Sequence, residues 1–545
     1  MKLAYFQKQL RILQEGTQKF AAENPQAAKR LHLKEWKDKD PYVERLLEGV
    51  AFLTGQIEEQ MARDLPEVSE TLLQQVCPDL LQPLPSLTLM QFSPAPFHRA
   101  MSHFPKGTLI EGQAEKVRFP FQLTRDLYAY PIALQKVEWA PLMRGGTRLS
   151  FHLEYQGEME GLTVDHFSLL LQMQTHEALE LLYAFGEKKL HSYLKFDNEF
   201  PVALRVLQES DMKLLRPSSV FQYDSFSLWQ EFSTFPEQHY FLYWDSFTLP
   251  KSVLEKKYFT LVLETSLSLS RHFFLDKSHF LTSCAPAINL CEKAADPIPC
   301  DFAVIDQPLI LPEGYEPYEI SSVTALSDTD RIFVEDYHRL SWLEAKPYYH
   351  YRRQQYDKQN DTWFVGVGGL APAYKALSIE VLSHQGDKPR QHLSIGDIVS
   401  DPKKFPMGTL SNISRPSRLF LSLRNEYYWL LIQALSLRYQ ALETAEDLKK
   451  ILVLFSLSNE SEWKNNIDGI ICAKKLPIQK VKRGIMRLGI QWSLQLEDKA
   501  FSSIFEAYVF ARLLFMFLKT YLDINTYLEL HVSFVISDET WCWNS

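Results

Sequence analysis

The sequence holds few residue groupings that spell out chemistry. One is Gly366-Val367-Gly368-Gly369-Leu370-Ala371, a G-x-G-x-x-A after a strand-like run. In a dinucleotide site such a turn must open a helix, whose N-terminal amides then hold the pyrophosphate. Here Pro372 follows, and Ala376–Leu382 reads as another strand, so a loop between strands is the better account. Asp328 and Asp330 in SDTDR could be cast as acid–base carboxylates, but such pairs normally flank a substrate from distant segments. A polar turn explains them more simply. The fifteen histidines are scattered, and neither His98/His103 nor His272/His279 has the i, i+4 spacing that sets two ligands on one helix face. Cys284, Cys291 and Cys300 are spaced C-x6-C-x8-C, and no Cys-x2-Cys occurs, so zinc-ribbon and dithiol readings are weak. No G-x-S-x-G, phosphate-loop or H-E-x-x-H motif is present. These observations predict no catalytic, cofactor-binding or metal-ligating residues.

One charged stretch stands out. Between Asp468 and Glu497 there is no acidic residue, while Lys474, Lys475, Lys480, Lys482, Arg483 and Arg487 supply six cations across two expected strands. They form a possible basic contact face for an acidic partner or a phosphate backbone; the alternative is a solvated hairpin face. The chain as a whole carries 58 basic against 67 acidic residues, net −9, so it is not built to coat nucleic acid. Gly is scarce, 20 of 545, and aromatics reach 13%. That balance favours strands and interfaces over glycine-lined phosphate loops. The first twenty residues carry charges throughout without an apolar core, and the most apolar run, Ala507–Leu518, is too short to span a bilayer. A cytoplasmic protein is expected.

The elements that would position these residues read as an α+β chain. Residues 1–85 are expected to be helical. Asp40 then Pro41 is a helix start, a side-chain cap followed by proline in the first turn. From Tyr42 to Leu65, Val43, Leu46, Leu47, Val50, Leu53, Ile57, Met61 and Leu65 recur at steps of three and four, one apolar stripe. A second helix is expected over Pro66–Leu81. Residues 86–300 read as a β-rich domain with strands at Leu87–Phe92, Arg148–Tyr155 and Tyr258–Leu267, a Gly145-Gly146 turn, and helices at His176–Gly186 and Pro201–Leu215. The proline-rich Ala285–Pro317 reads as a connector. Residues 301–545 read as a second β-rich domain with helices at Glu426–Leu442 and Ser503–Leu522 and a strand at Thr526–Val535. The last helix carries Phe505, Val509, Leu513, Phe517 and Tyr521 among apolar neighbours, the pattern of internal core.

Asp40-Pro41-Tyr42-Val43-Glu44-Arg45-Leu46-Leu47-Glu48-Gly49-Val50-Ala51-Phe52-Leu53-Thr54 resembles the signature of the TssF (VasA/ImpG) family, baseplate subunits of the bacterial type VI secretion system. Further matches follow in order. Glu231-Phe232-Ser233-Thr234-Phe235-Pro236-Glu237, Cys284-Ala285-Pro286-Ala287-Ile288-Asn289-Leu290, Ile467-Asp468-Gly469-Ile470 and the segment Glu506 to Asn525 are each similar to a family segment. Two departures stand beside them: Ser502-Ser503 replaces the glycines that usually open the last helix, and a basic, tryptophan- and proline-containing tail does not follow it.

The resemblance implies a non-catalytic, phage-wedge-like architecture with an elongated β-rich body. It implies two copies of the chain with one TssG, joined by TssK and TssE. Such wedges surround the VgrG spike, support the Hcp tube and the TssB/TssC sheath, and lie in the cytoplasm beneath the TssJ/TssL/TssM membrane complex. Asp40, Pro41, Val43, Glu44, Arg45, Leu46, Leu47, Val50, Leu53 and Ile57 then become candidates for a partner interface. Read from the residues alone, the same helix could pack wholly within its own chain. Two other classes stay open at this level: a carbohydrate-active β-domain, which needs a pocket with convergent polar groups, and a polyanion binder working through Lys474–Arg487. A scaffold is expected to show exposed apolar patches and no organised cleft.

Overall fold

The computed structural model describes residues 6–7, 10–11, 13, 41–76, 78–114, 117–143, 145–157, 163–186, 189–196, 202–203, 206–207, 224–249, 257–269, 275–300, 306–337, 346–355, 361–371, 373–422, 428, 431–432, 444–457, 461–482, 485–520, 522, 526–537 and 539–544. The chain divides into two compact units, Met1–Leu81 with Leu423–Ser436, and Gln82–Ser422 with Leu437–Ser545.

The first unit is built on α1, Pro41–Val76. The sequence suggests two helices broken at Pro66, but one helix of 36 residues runs through it. At 1.5 Å per residue it is about 54 Å long. Proline removes one backbone donor and crowds the preceding turn, a cost of about 3 kcal/mol that the flanking turns carry here. The helix gives way to a 3-10 turn at Pro78–Leu81, as the prolines require. The expected Glu426–Leu442 helix lies largely outside the described residues; Tyr428, Leu431 and Ile432 are helical.

Among the described residues the second unit is made of strands, the short helix Lys388–His392, and five longer helices: α2 Thr175–Gly186, α3 Asp224–Thr234, α4 Ala445–Phe455, α5 Ser461–Asp468 and α6 Ile504–Lys519. A five-stranded sheet runs Gly408–Asn412, Leu87–Pro94, Cys284–Ile288, Val117–Leu123, Leu109–Ala114. Its inner face packs Met90, Phe92, Ile110, Phe121, Ala287 and Leu410 into one core. The Cys284–Ile288 strand corrects the expected connector: all five of its residues are buried. An unbroken buried run has no alternation to betray it. A second five-stranded sheet holds the Ile132–Pro141/Thr147–Tyr155 hairpin, turned by Gly145 and Gly146 at φ +84° and +99°. The expected helix over Pro201–Leu215 is also corrected where described: Val202–Ala203 and Val206–Leu207 are strand pieces, consistent with their β-branched residues.

An eight-stranded sheet carries the Ala376–His384, Glu316–Leu326, Arg331–Asp336, Tyr348–Gln355 and Asp361–Gly368 strands over a core that includes Val323, Trp363 and Ile379. Pairing crosses position 300, because Cys291–Ala294 joins Ala376–His384, and Gly408–Asn412 joins Leu87–Pro94. The last sheet is Ile470–Lys482, Ile485–Leu496, Tyr527–Phe534, Thr540–Asn544. α6 is core, as its pattern predicts: Val509, Leu513 and Phe517 are buried. Its rings meet Tyr183 of α2 (Tyr508, 4.6 Å) and Trp229 of α3 (Phe510, 5.6 Å). Ser503 caps it, accepting from the Glu506 amide at 3.2 Å, while the Glu506 carboxylate accepts from the Ser502 amide at 2.8 Å. Ser503 and Glu506 thus satisfy backbone donors at the helix start.

Candidate assembly surfaces

The stripe on α1 is arranged in an unusual sense. Ala51 and Gly55, small residues one turn apart, are buried, whereas Leu46 is 69% and Leu53 60% exposed. Val50 and Phe52 are exposed as well, and Arg45 and Glu48 are solvent-facing. Leu46, Val50 and Leu53 follow an i, i+4, i+7 course, so they form one continuous apolar line. Further along, Leu73 is buried, and Val68 and Leu72 are exposed. Pro41, Val43, Glu44, Leu47 and Ile57 lie on this helix with side chains outside those described, and Asp40 lies outside the described residues. A folded chain ordinarily turns large apolar side chains inward, so this line is the feature of α1 that its own burial does not account for.

The basic stretch folds as an antiparallel hairpin, Ile470–Lys482 with Ile485–Leu496. Strand alternation divides its cations. Lys480 stands opposite Arg487, on the same face as Lys474, while Lys475 is on the other face opposite Trp492. Lys480 is not free: its ammonium pairs with the Glu529 carboxylate and lies 5.6 Å from the centre of the Tyr527 ring. Lys482 pairs with Ile485 in the ladder, its side chain not among those described, and Arg483 lies outside the described residues. Among the described residues, then, these cations are divided between the two faces of the hairpin. What remains on the outer half of the hairpin is mixed, with exposed Leu476 and Leu488 beside Lys474 and Arg487.

Groups that could suggest catalysis turn out to have structural partners. Asp328 and Asp330 sit in a turn closed by the Ser327 hydroxyl accepting from the Asp330 amide at 2.9 Å, and Asp328 pairs with Lys375. Gly366 and Gly368 serve cross-strand neighbours. A Cβ on Gly366 would lie 2.4 Å from the His350 ring, and one on Gly368 would lie 2.4 Å from the Tyr348 ring. The glycines of the nominal dinucleotide motif are the floor on which those rings rest, and no helix follows them. His350 in turn meets Asp306 at 2.9 Å, and Arg352 closes the group on Asp306 at 2.7 Å. Cys542 lies 3.4 Å from Nε2 of His531 on the last sheet. Partial desolvation, with the charge of Glu529 adding to it, holds its thiol above the ordinary cysteine range, the reverse of an activated nucleophile. Among the described residues no group of His, Cys, Asp and Glu is arranged to hold a metal, and no helix is long and apolar enough to cross a membrane.

The family model for type VI secretion system TssF matches residues 2–545. The chain belongs to the TssF family. It is a structural component of the type VI secretion baseplate, in a family without enzymatic activity. It is 24% identical over 604 aligned positions to type VI secretion system component TssF1 of Pseudomonas aeruginosa, with 97% of this chain and 95% of that protein covered. Its fold is similar to a chain in the cryo-electron microscopy structure of the type VI secretion TssK-TssF-TssG baseplate subcomplex, with a TM-score of 0.75, 19% identity, and 92% and 98% of the two chains covered. A chain of a type VI secretion baseplate complex is similar at TM-score 0.60 and 18% identity, covering 98% and 97%. This TssF-family fold is the strand-rich α+β architecture expected from the sequence.

Proposed function

We propose that this TssF-family chain is a wedge subunit that works by holding other subunits in register, and that α1 is the element through which it joins them. In this reading two copies combine with one TssG and bind TssK and TssE. The wedges encircle the VgrG spike, carry the Hcp tube and sheath, and sit in the bacterial cytoplasm against the inner-membrane complex. Residues 1–85 supply the bundle-forming helices, and residues 86–300 and 301–545, joined by strand pairing across position 300, supply one β-rich body.

The observation that carries the reading is the exposed line Leu46, Val50 and Leu53 on a 36-residue helix. Helices contributed by two copies and a TssG could bury all three lines in one bundle. At about 1.5–3 kcal/mol for each buried side chain, the three residues together are worth roughly 5–9 kcal/mol per helix, enough to secure an assembly. The exposed Arg45 and Glu48 flank the line and could set its register.

Co-expression with the TssG, TssK and TssE proteins of the same genome, followed by light scattering of the purified complex, tests this. A mass of two copies per TssG is the expected result. The triple variant Leu46→Asp, Val50→Asp, Leu53→Asp should keep the circular dichroism spectrum of the wild type, since these side chains contribute little to its own core, and should elute apart from TssG. A triple variant that still co-purifies at wild-type stoichiometry would remove α1 from the interface.

A further inference from the structure

A scaffold is expected to offer patches rather than a cleft, yet the second unit holds a cleft of about 560 Å³. That volume is within the range of pockets that enclose ligands. The segment after α3, the faces of α5 and α6, and the loop that follows Gly408–Asn412 form its walls. Phe235, Tyr240, Phe420 and Trp463 make much of it aromatic.

Three guanidinium groups, those of Arg390, Arg415 and Arg418, also line it. Two of them are braced by main chain. Arg390 stands on the short helix Lys388–His392 and donates to the Pro416 carbonyl at 3.1 Å; Arg415 donates to the Arg390 carbonyl at 3.1 Å. Asp387, at the start of that helix, accepts from the Leu419 amide at 3.0 Å and ties helix to loop. Arg418 lies with its guanidinium 4.9 Å from the centre of the Phe420 ring. Neither Arg390 nor Arg415 is paired with a carboxylate among the described residues. Of the two lining carboxylates, Glu506 is engaged by Asn466 at 2.8 Å and by the start of α6, and Glu237 stands at the exposed lip. The site thus sets half-buried Arg390 and exposed Arg415, each held by a main-chain bond and neither paired with a carboxylate among the described residues, beside aromatic side chains. Guanidinium groups so held suit carboxylates, which they grip with paired hydrogen bonds, and the rings suit an apolar side chain between them.

We propose that this cleft receives an acidic segment of a partner baseplate subunit, its carboxylates on Arg390 and Arg415 and an apolar side chain against the half-buried ring of Trp463. The proposal rests on the assembly reading above and adds a second contact, independent of α1.

The test uses the full chain with its TssG and TssK partners. A photo-crosslinking residue, p-benzoylphenylalanine, replaces Glu237 at the lip and leaves both arginines in place. Mass spectrometry should then find its crosslinks on a partner peptide with at least two Asp or Glu residues. The double variant Arg390→Gln, Arg415→Gln should bind its partner about tenfold more weakly or worse, the loss expected for charge-assisted bonds. Its affinity should also depend less on salt. Arg390→Lys, Arg415→Lys, which keeps the charges, should retain part of the affinity. Crosslinks confined to this chain or to a neutral segment would overturn the proposal, as would wild-type affinity in the glutamine variant. Protection of the lip by inorganic phosphate alone, with no partner crosslink, would mark a small-anion site instead and also overturn it. If the wild type fails to associate with any partner, the assembly reading fails and takes the cleft proposal with it; association with crosslinks elsewhere removes the cleft alone.

Discussion

The carboxylate of Glu231 is cut off from solvent, within the segment Glu231–Glu237 that resembles the TssF family. It lies 3.5 Å from Nε2 of His239, whose ring stacks on Phe232 at 4.2 Å. Arg125 approaches from the Val117–Leu123 side of the unit, donating to the Gln238 carbonyl at 2.8 Å and to the Tyr243 hydroxyl, with its guanidinium 4.7 Å from the centre of the Phe241 ring. Burial pushes the Arg125 pKa down to about 10, and Glu231 acts in the opposite direction by favouring the cation. Glu231→Ala would leave a buried guanidinium without its counter-charge, so it should cost about 3–5 kcal/mol, read as a lower urea midpoint for unfolding. Glu231→Leu combined with Arg125→Met should recover much of that loss, because the pair is costly only when half removed. An unchanged midpoint in Glu231→Ala would mean that another group neutralises Arg125. The sequence showed this segment as a family-like stretch and nothing of its charge balance. The reason is distance along the chain: Arg125 stands about a hundred residues earlier, and no local pattern links the two.

Turns and buried strands differ in how openly a sequence declares them. Gly145-Gly146 announces its hairpin, and the two glycines serve it differently. Both have positive φ, but a Cβ on Gly145 meets nothing within 4 Å, while one on Gly146 would lie 2.1 Å from the Thr265 carbonyl oxygen of the neighbouring strand. Gly145→Ala should therefore cost about 1 kcal/mol, the ordinary penalty of a left-handed backbone, and Gly146→Ala distinctly more, because backbone has to move. Equal urea midpoints for the two variants would contradict that reading of the hairpin. The Cys284–Ile288 strand is the opposite case. Pro286 makes it look like a connector, since proline has no amide to give a sheet. Backbone bonds at Phe92/Ser283 and Ser86/Asn289 fix the alternation along this pair, so Leu89/Pro286 is a non-bonded pair. The Pro286 nitrogen then points to the other neighbour, whose ladder reaches only Ala287 and Ile288. The proline is accommodated by where pairing stops, a property of two other strands that its own neighbours in sequence do not record. The basic hairpin shows the same limit. Its strands were legible and its cations countable, but the loss of Lys480 to Glu529 depends on a parallel neighbour about fifty residues on.

Among the described residues, three apolar cores lie within the second unit, around Phe121, around Ile379 and around Phe241. The aromatic packing of α6 against α2 and α3 belongs to the same unit. α1, in the other unit, carries Leu46, Val50 and Leu53 on an exposed line. A division of labour follows from that inventory. The strand-rich unit has the packed cores a chain needs to fold by itself, while the helical unit leaves an apolar line exposed, which on the proposed reading another chain buries. A chain beginning at Gln82 should therefore keep a β-type far-UV circular dichroism spectrum, a near-UV signal from its packed rings, and a cooperative thermal transition. On the proposed reading it should fail to form the complex with TssG expected of the full chain. Any affinity it keeps for a partner should vanish on replacing Arg390 and Arg415 by glutamine, because the cleft is the remaining contact. Loss of the near-UV signal on truncation would place essential core in the first 81 residues. Full assembly by the truncated chain would mean that the exposed line on α1 serves something other than the wedge.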